Sequence, residues 1–526
     1  MSSQTGAARF CLHLLISSPL TTASLDVWPF ASHQNLPRQL PQSLNECLSQ
    51  TSAEIIYPSS PEYNTTAQSQ NTNYHYRPAA IALPKSTSQV AAVVNCASHG
   101  DVEISTYGGG HGYASYALGG SDGYLVIDSQ RMQDIIPNDV DKTVTVGMGV
   151  RIGPLSKALG PKGWAIPHGT CSSVGVVGHA LGGGWGYSSR KWGWTMDHIV
   201  GVEYVDSEGQ VKSVGEGVGD QEIWWAMRGA GAGNFGVVTS FVLKPVDAPG
   251  KSLNWKTVLG RNWECGAALL VLQELGQQEG TLPAELGIQL LLYGEGTESN
   301  PGACQLSGQY FGSEEEFSRL ESVIEDGLER RGVGGYGKAN VSEFGSWVET
   351  LTDLQGNLTA PSNAVPYYAQ SILDDGSPGY TNDSVQAILK AVQATVNVSK
   401  TSTSLSFDLN GPGSLTNIDQ PHGLSAFSDA GHRKALFLSQ IYNYGTPPFS
   451  EPDKQKEIFE LVDGIQKAIR AAKPDGQWGS YVNYVDPRLH DWPAEYYGDA
   501  LDRLKEVKKK ADPNNIFDFP QGLGRA

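Results

Sequence analysis

Residues 164–194 read WAIPHGTCSSVGVVGHALGGGWGYSSRKWGW. Glycines stand at 175, 178, 182, 183, 184 and 186, and His168, Thr170 and Cys171 precede them. At that density glycine makes neither a stable helix nor a well-packed strand, because each one forfeits chain entropy and side-chain contact. Such a run persists where something flat and large lies against the backbone, and a cysteine in such a groove is not in the setting of a plain core residue. Earlier in the chain, residues 106–120 read TYGGGHGYASYALGG, with His111 directly behind three glycines. This run follows a strand-like segment and opens no helical pattern, so it lacks the context of a dinucleotide-binding fingerprint. No Gly-Lys-Ser/Thr follows, which excludes a P-loop. Consecutive glycines let successive backbone N–H groups approach an anion such as a pyrophosphate. Taken alone, the segment also reads as a tight glycine turn beside a histidine.

Outward from these two segments the periodicity is mixed. From about residue 76, short β-type runs (AAIAL, EIST, YLVID, TVTVGMGV) alternate with a helical pattern over 89–99. Near 198–245, HIVGVEYVD, VKSV and GVVTSFVLK flank the helix-like EIWWAM. This is the pattern of an α+β domain. From about 250, long helical patterns (SEEEFSRLESVIEDGLERR, KQKEIFELVDGIQKAIRAA) lie among strand-like runs such as ELGIQLLLYG and KALFLSQIYNY, which marks a second domain. No internal repeat is present.

With 526 residues the chain is long enough for two or three domains. The formal net charge of −18 and the lack of a Lys/Arg stripe argue against nucleic acid or an anionic membrane as the main partner. No apolar run approaches the length of a bilayer span. Arg9 precedes FCLHLLI, and small residues follow at Thr21, Thr22 and Ala23, so residues 1–23 resemble a secretory signal. Sequons at Asn64, Asn340, Asn357, Asn382 and Asn397 lean the same way, toward a secreted, extracellular chain; a cytosolic chain is the alternative.

Of six cysteines, Cys11 would leave with the signal. Cys47 in LNECL and Cys96 in VAAVVNCAS sit in two amphipathic patterns, the second opened by Ser86-x-x-Gln89, a candidate capping box. Two such helices allow a Cys47–Cys96 disulfide; two buried thiols are the alternative. Cys171, Cys265 and Cys304 leave an odd thiol, and whether Cys265 and Cys304 pair stays open. No cysteine pair has zinc-site spacing, so no metal is expected.

GGGHGY, HGTC with SVGVVGHALGGGWGYSSR, and YVNY at 481–484 together resemble the berberine-bridge-enzyme-like branch of the vanillyl-alcohol-oxidase superfamily. Within it they are most similar to fungal oligosaccharide oxidases of the glucooligosaccharide and chitooligosaccharide type. The resemblance runs from about residue 40 to 524. It implies a two-part FAD-binding domain of the PCMH type (40–248), closed by a C-terminal return (477–526), and an α+β substrate-binding domain with a large antiparallel sheet (249–476). It also implies FAD held twice, by His111 at the flavin 8-methyl carbon and by Cys171 at ring position 6. Imidazole nitrogen and thiolate are the two good neutral-pH nucleophiles for an electron-poor ring. Contacts to the cofactor are implied for Gly108, Gly109, Gly110, Gly112, Tyr113, Thr170, Val174, Gly175, Gly178, Gly182, Gly183, Val237 and Asn483.

Flavin carries the oxidation, and the protein must supply a base and positioning. The resemblance gives the base to Tyr484, assisted by Asp408 in SLSFDLNG. A phenol of ordinary pKa about 10 is a poor base at neutral pH unless a carboxylate takes its proton. Tyr113, Thr170 and Gln440 would touch substrate. Val174 matches a site that admits oxygen to the flavin, which implies an oxidase that makes H2O2. The chain departs from the family pattern at Gly112 and Val177, and, at the substrate, at Leu291, Ser404 and Ser406. Those last three remove charged and aromatic groups from the pocket. The expected partners are therefore a small-molecule substrate, an oligosaccharide or another alcohol, and O2, acting on a monomer. An oxidase of oligosaccharide reducing ends comes first. A flavin oxidase of secondary metabolism, acting on a less polar alcohol or amine or closing a ring, is the alternative, and a non-enzymatic glycoprotein on the same fold is the third.

Overall fold

The computed structural model describes residues 40–526, apart from 101, 232, 297–301, 336, 397, 399–400, 418–422 and 446–450. The signal-like stretch 1–23, Cys11 and the sequon at Asn397 lie outside the described residues. Three larger sheets organise the chain, which is α+β. The first orders strands Glu54–Ile56, Ala80–Leu83, Leu125–Asp128 and Ile104–Tyr107. Its last three strands run parallel, with Leu125–Asp128 between the other two. The helix Thr87–Ser98 makes the crossover that parallel strands require. Ser86 Oγ accepts from Gln89 N at its start, but Gln89 Oε1 accepts from Lys85 N, so only half of the expected capping box forms. Cys47 in Gln42–Ser49 pairs with Cys96 in this helix.

The second sheet is antiparallel, in the order Ile135–Asn138, Thr143–Gly147, Val237–Leu243, Ile199–Val205, Val211–Gly215. Its core takes in Trp194, Trp225 and Phe241, and also Tyr481 and Leu504 from the last stretch of the chain. Ile104 bridges to Phe517 in the same way. Residues after about 477 thus pack against strands laid down before residue 245.

The third sheet has eight antiparallel strands. Their order is Asn340–Phe344, Ser252–Leu259, Cys304–Tyr310, Leu286–Leu292, Thr401–Leu409, Phe437–Gly445, Tyr367–Asp374, Trp478–Gly479. One face is covered by helices, among them the largely buried Asn262–Gln277 and the amphipathic Asn382–Ala394 and Pro452–Ala472, over a core of Leu, Ile and Phe. Cys265 and Cys304 do pair, fastening the first of these helices to a strand. Closing loops of 49 and 39 residues, the two disulfides each contribute about 4 kcal/mol by restricting the unfolded chain. The other face is read by register. One row runs Ser307, Gln289, Asp408, and the next runs Gln305, Leu291, Ser406, Gln440. Because side chains alternate along a strand, both rows point the same way.

The glycine-rich segment needs one correction. Residues Val176–Leu181 are helical despite Gly178, because Val176, Val177, Ala180 and Leu181 are buried in the core. Tertiary burial outweighs the local glycine penalty of about 1 kcal/mol.

A cavity shared by the glycine loops and the large sheet

The two glycine-rich segments meet. A Cβ added to Gly109 would lie 2.1 Å from Gly175 N, and one added to Gly175 would lie 2.5 Å from Gly109 N. Only bare backbone allows that approach. Arg151 Nη1 donates to Gly109 O at 2.8 Å and also to Ser173 O, which ties the loop of His111 to the loop of Cys171. Ile152 N→Val174 O and Gly153 N→Ser172 O lock the second loop onto the helix Ile152–Leu159.

Between these loops and the bare face of the sheet lies a cavity of about 410 Å³, in the range of cofactor and ligand sites. Its wall brings together His111, Cys171, Tyr484, Asp408 and Gln440, with Gly108, Gly109, Gly110, Gly112, Tyr113, Thr170, Val174, Gly175, Gly178, Gly182 and Asn483. Two expected cofactor residues are not in the wall. Val237 is fully buried in the core between the first two sheets, and strand alternation turns its neighbour Val238 to the cavity instead. Gly183 is a packing position: its φ of +122° suits glycine, and an added Cβ would press on Phe427, Trp194 and Tyr481.

His111 Nε2 lies 3.0 Å from Ser173 Oγ. Burial, and then the Arg151 guanidinium, push its pKa down to about 3, so the ring is neutral. Cys171 lines the same wall. Across the cavity Tyr484 stacks on Tyr113, with centroids 5.5 Å apart and planes within 6°. Burial, followed by Tyr113 and Asp408, raises the Tyr484 phenol well above its ordinary pKa. Burial likewise lifts Asp408 to about 7, and a hydrogen bond from Gln289 Nε2 to its Oδ1 (2.6 Å) opposes the rise. Gln440 Nε2 donates to the Tyr113 hydroxyl. The rest of YVNY is a clamp. Tyr481 OH accepts from Gly184 N (2.8 Å), and Asn483 Nδ2 donates to His179 O (2.9 Å). That holds the C-terminal segment against the glycine run and presents Tyr484 to the cavity.

Among the wall members that sequence reasoning missed are Tyr367 and Tyr442, stacked at 5.1 Å beside Tyr113, and Gln289 and Ser173. Gln289 carried a usable signal, since it is the one polar side chain in the strand LGIQLLL.

The wall fits a large flat anionic cofactor. Gly112 and Gly178 have no protein atom within 4 Å of an added Cβ, and Gly108 has only Met148 O at 3.8 Å. Packing within the protein does not require glycine there, and alanine would serve Gly178 better inside a helix. A flat ligand against the backbone does require it.

Comparisons with known proteins agree. Residues 78–215 match the family described as FAD binding domain, and residues 480–524 match Berberine and berberine like. The xylooligosaccharide oxidase of Thermothelomyces thermophilus is 31% identical over 527 residues, covering 97% of this chain and 99% of that protein. The xylooligosaccharide oxidase from Myceliophthora thermophila C1, solved in complex with xylobiose, superposes with a TM-score of 0.81 at 29% identity, covering 91% of this chain and 99% of that one. Glucooligosaccharide oxidase from Acremonium strictum, described with 6-S-cysteinyl, 8α-N1-histidyl FAD, also superposes at 0.81, with 27% identity over 92% of this chain and 99% of that one. The chain belongs to the berberine-bridge-enzyme-like branch of the PCMH-type flavoprotein oxidases, and it is an oxidoreductase whose cofactor is FAD.

Proposed function

We propose that this protein is a secreted, monomeric carbohydrate oxidase that converts the anomeric hydroxyl of a neutral oligosaccharide to a lactone. The observation that carries the reading is the placement of Tyr484 and Asp408 in one cavity wall with His111 and Cys171. Bound FAD supplies a hydride acceptor that O2 reoxidises, giving H2O2. In this reading the glycine side, residues 40–248 with 477–526, holds the cofactor, and residues 249–476 hold the sugar. His111 and Cys171 would anchor the ring. The tether at Cys171 would require its thiolate.

The protein's own part is proton handling and positioning. Tyr484 Oη takes the proton of the substrate hydroxyl as the C–H bond breaks. Asp408, with a pKa near neutrality, accepts it in turn and is the only Asp, Glu, Lys or Arg among the described residues of the cavity wall. Apart from Asp408 the described wall is uncharged, which favours a neutral substrate over a uronic acid, because a further buried charge without a partner is costly. Gln440, Tyr113 and Thr170 offer hydrogen bonds, and Tyr367 and Tyr442 offer faces on which a sugar ring can lie. Val174, in the same wall, would leave room for O2 beside a bound flavin. Export is supported by the two disulfides and by Asn64, Asn340, Asn357 and Asn382, all exposed.

The test is H2O2 release from the yellow protein across cellobiose, lactose, chitobiose and xylobiose. Turnover of at least one sugar is expected. A flavin-loaded protein that oxidises none of them would overturn the carbohydrate reading. It would favour a less polar alcohol, which Leu291 and Ser406 on the sheet face would also accept.

A further inference from the structure

A neutral imidazole carries one ring N–H, so only one of its two nitrogens can be a nucleophile at a time. In His111 that choice is tied to Ser173. Ser173 Oγ lies 3.0 Å from Nε2, and Ser173 is itself only 6% exposed. The backbone that carries the hydroxyl is held in place. The Ser173 carbonyl is held by Arg151, whose guanidinium also holds Gly109 O, two residues before His111. The Gly109–Gly175 backbone contact fixes the same two loops from the other side. Ser173 and His111 are therefore presented to each other by a rigid frame rather than by a chance surface contact.

We propose that Ser173 is a positioning residue for attachment of the cofactor: its oxygen accepts the Nε2–H of His111, which leaves the lone pair on Nδ1 and aims that nitrogen at the flavin 8-methyl carbon. This rests on the reading of His111 as a flavin tether. The opposite arrangement, with the hydroxyl donating to Nε2, would put the N–H on Nδ1 and disarm it. In the bond-forming step one methyl C–H gives up its proton, and its electron pair stays on the ring system. The Nδ1–carbon bond forms, and the ring is left reduced by two electrons. The Nε2 proton then passes through the Ser173 hydroxyl to water, so the linked imidazole ends neutral. O2 takes the two electrons with two protons, becomes H2O2, and returns the ring to its oxidised state. The low pKa of His111 agrees with a ring that enters this step uncharged.

The experiment isolates the histidine bond in C171A holoenzyme and reads flavin that stays with acid-precipitated protein. C171A is expected to retain its flavin, and C171A/S173A to retain roughly tenfold less, the scale of one lost hydrogen bond, while still carrying yellow, dissociable FAD. C171A/S173T, which keeps the hydroxyl, is expected to recover attachment. NMR of the flavin peptide from C171A is expected to show the bond at Nδ1. Release of all flavin from C171A would overturn the His111 tether itself and this inference with it. Full retention by C171A/S173A, or a bond at Nε2, would overturn the role of Ser173 alone. If C171A/S173A does not fold, the linkage atom in C171A decides the matter.

Discussion

On one side of the cavity the wall is backbone. Gly109 and Gly175 touch through atoms that no side chain could cover, and an added Cβ on Gly182 would lie 2.1 Å from Asn483 Oδ1. On the other side the wall is side chains standing on an antiparallel sheet: Gln289, Leu291, Ser406, Asp408, Gln440 and Tyr442. The first wall has no freedom to vary, because its shape is the chain itself. The second can exchange one side chain for another without moving a strand, since each residue occupies a register position with its own neighbours. A cofactor site built the first way and a substrate site built the second way would let one fold keep its chemistry and change its substrate.

That contrast can be broken by substitution. The largest effect is expected at Gly109→Ala, whose methyl group meets backbone that cannot move aside. A loss of more than about 3 kcal/mol in stability and a colourless protein are expected, measured by thermal melting and flavin content. On the sheet side, single changes should leave the protein folded and yellow. Tyr484→Phe is expected to lower kcat roughly 10³-fold with acid-stable flavin unchanged. Asp408→Asn is expected to cost roughly 10²-fold and to remove a pH dependence. The active form is the carboxylate, so wild-type kcat should rise with pH and level off above about 7, whereas the variant should be flat there. Gln289→Leu is expected to cost about tenfold near neutrality. It removes the hydrogen bond that opposes the upward shift of Asp408, so the rising limb should move to higher pH. The smallest effect belongs to the surface. Asn340→Gln, exposed on an edge strand, should leave kcat and stability unchanged within about 0.5 kcal/mol while the mass of the secreted protein falls by one glycan.

The same contrast explains what was legible in the sequence. Glycine has one message, the absence of a side chain, so two dense runs around His111 and Cys171 announced a backbone-lined groove before any fold was known. Even there, the neighbours of the glycines decided the local structure: Val176, Val177 and Leu181 drew Gly178 into a helix through burial that no local pattern reports. Val237 and Gly183 stand outside the cavity wall because the motif gives the segment but not the direction of each side chain. The sheet wall was harder to read. Tyr367, Tyr442 and Gln289 come from three strands separated by more than seventy positions, and only pairing register unites them. Ser173 looked like any serine in a loop until Arg151 brought its strand of chain alongside His111.

The account stands on one cofactor gripped from two loops. Proteolysis of the denatured protein followed by peptide mass analysis tests this most directly. One FAD joining the peptide of His111 to the peptide of Cys171 is the result expected. Recovery of both peptides free of flavin would contradict it.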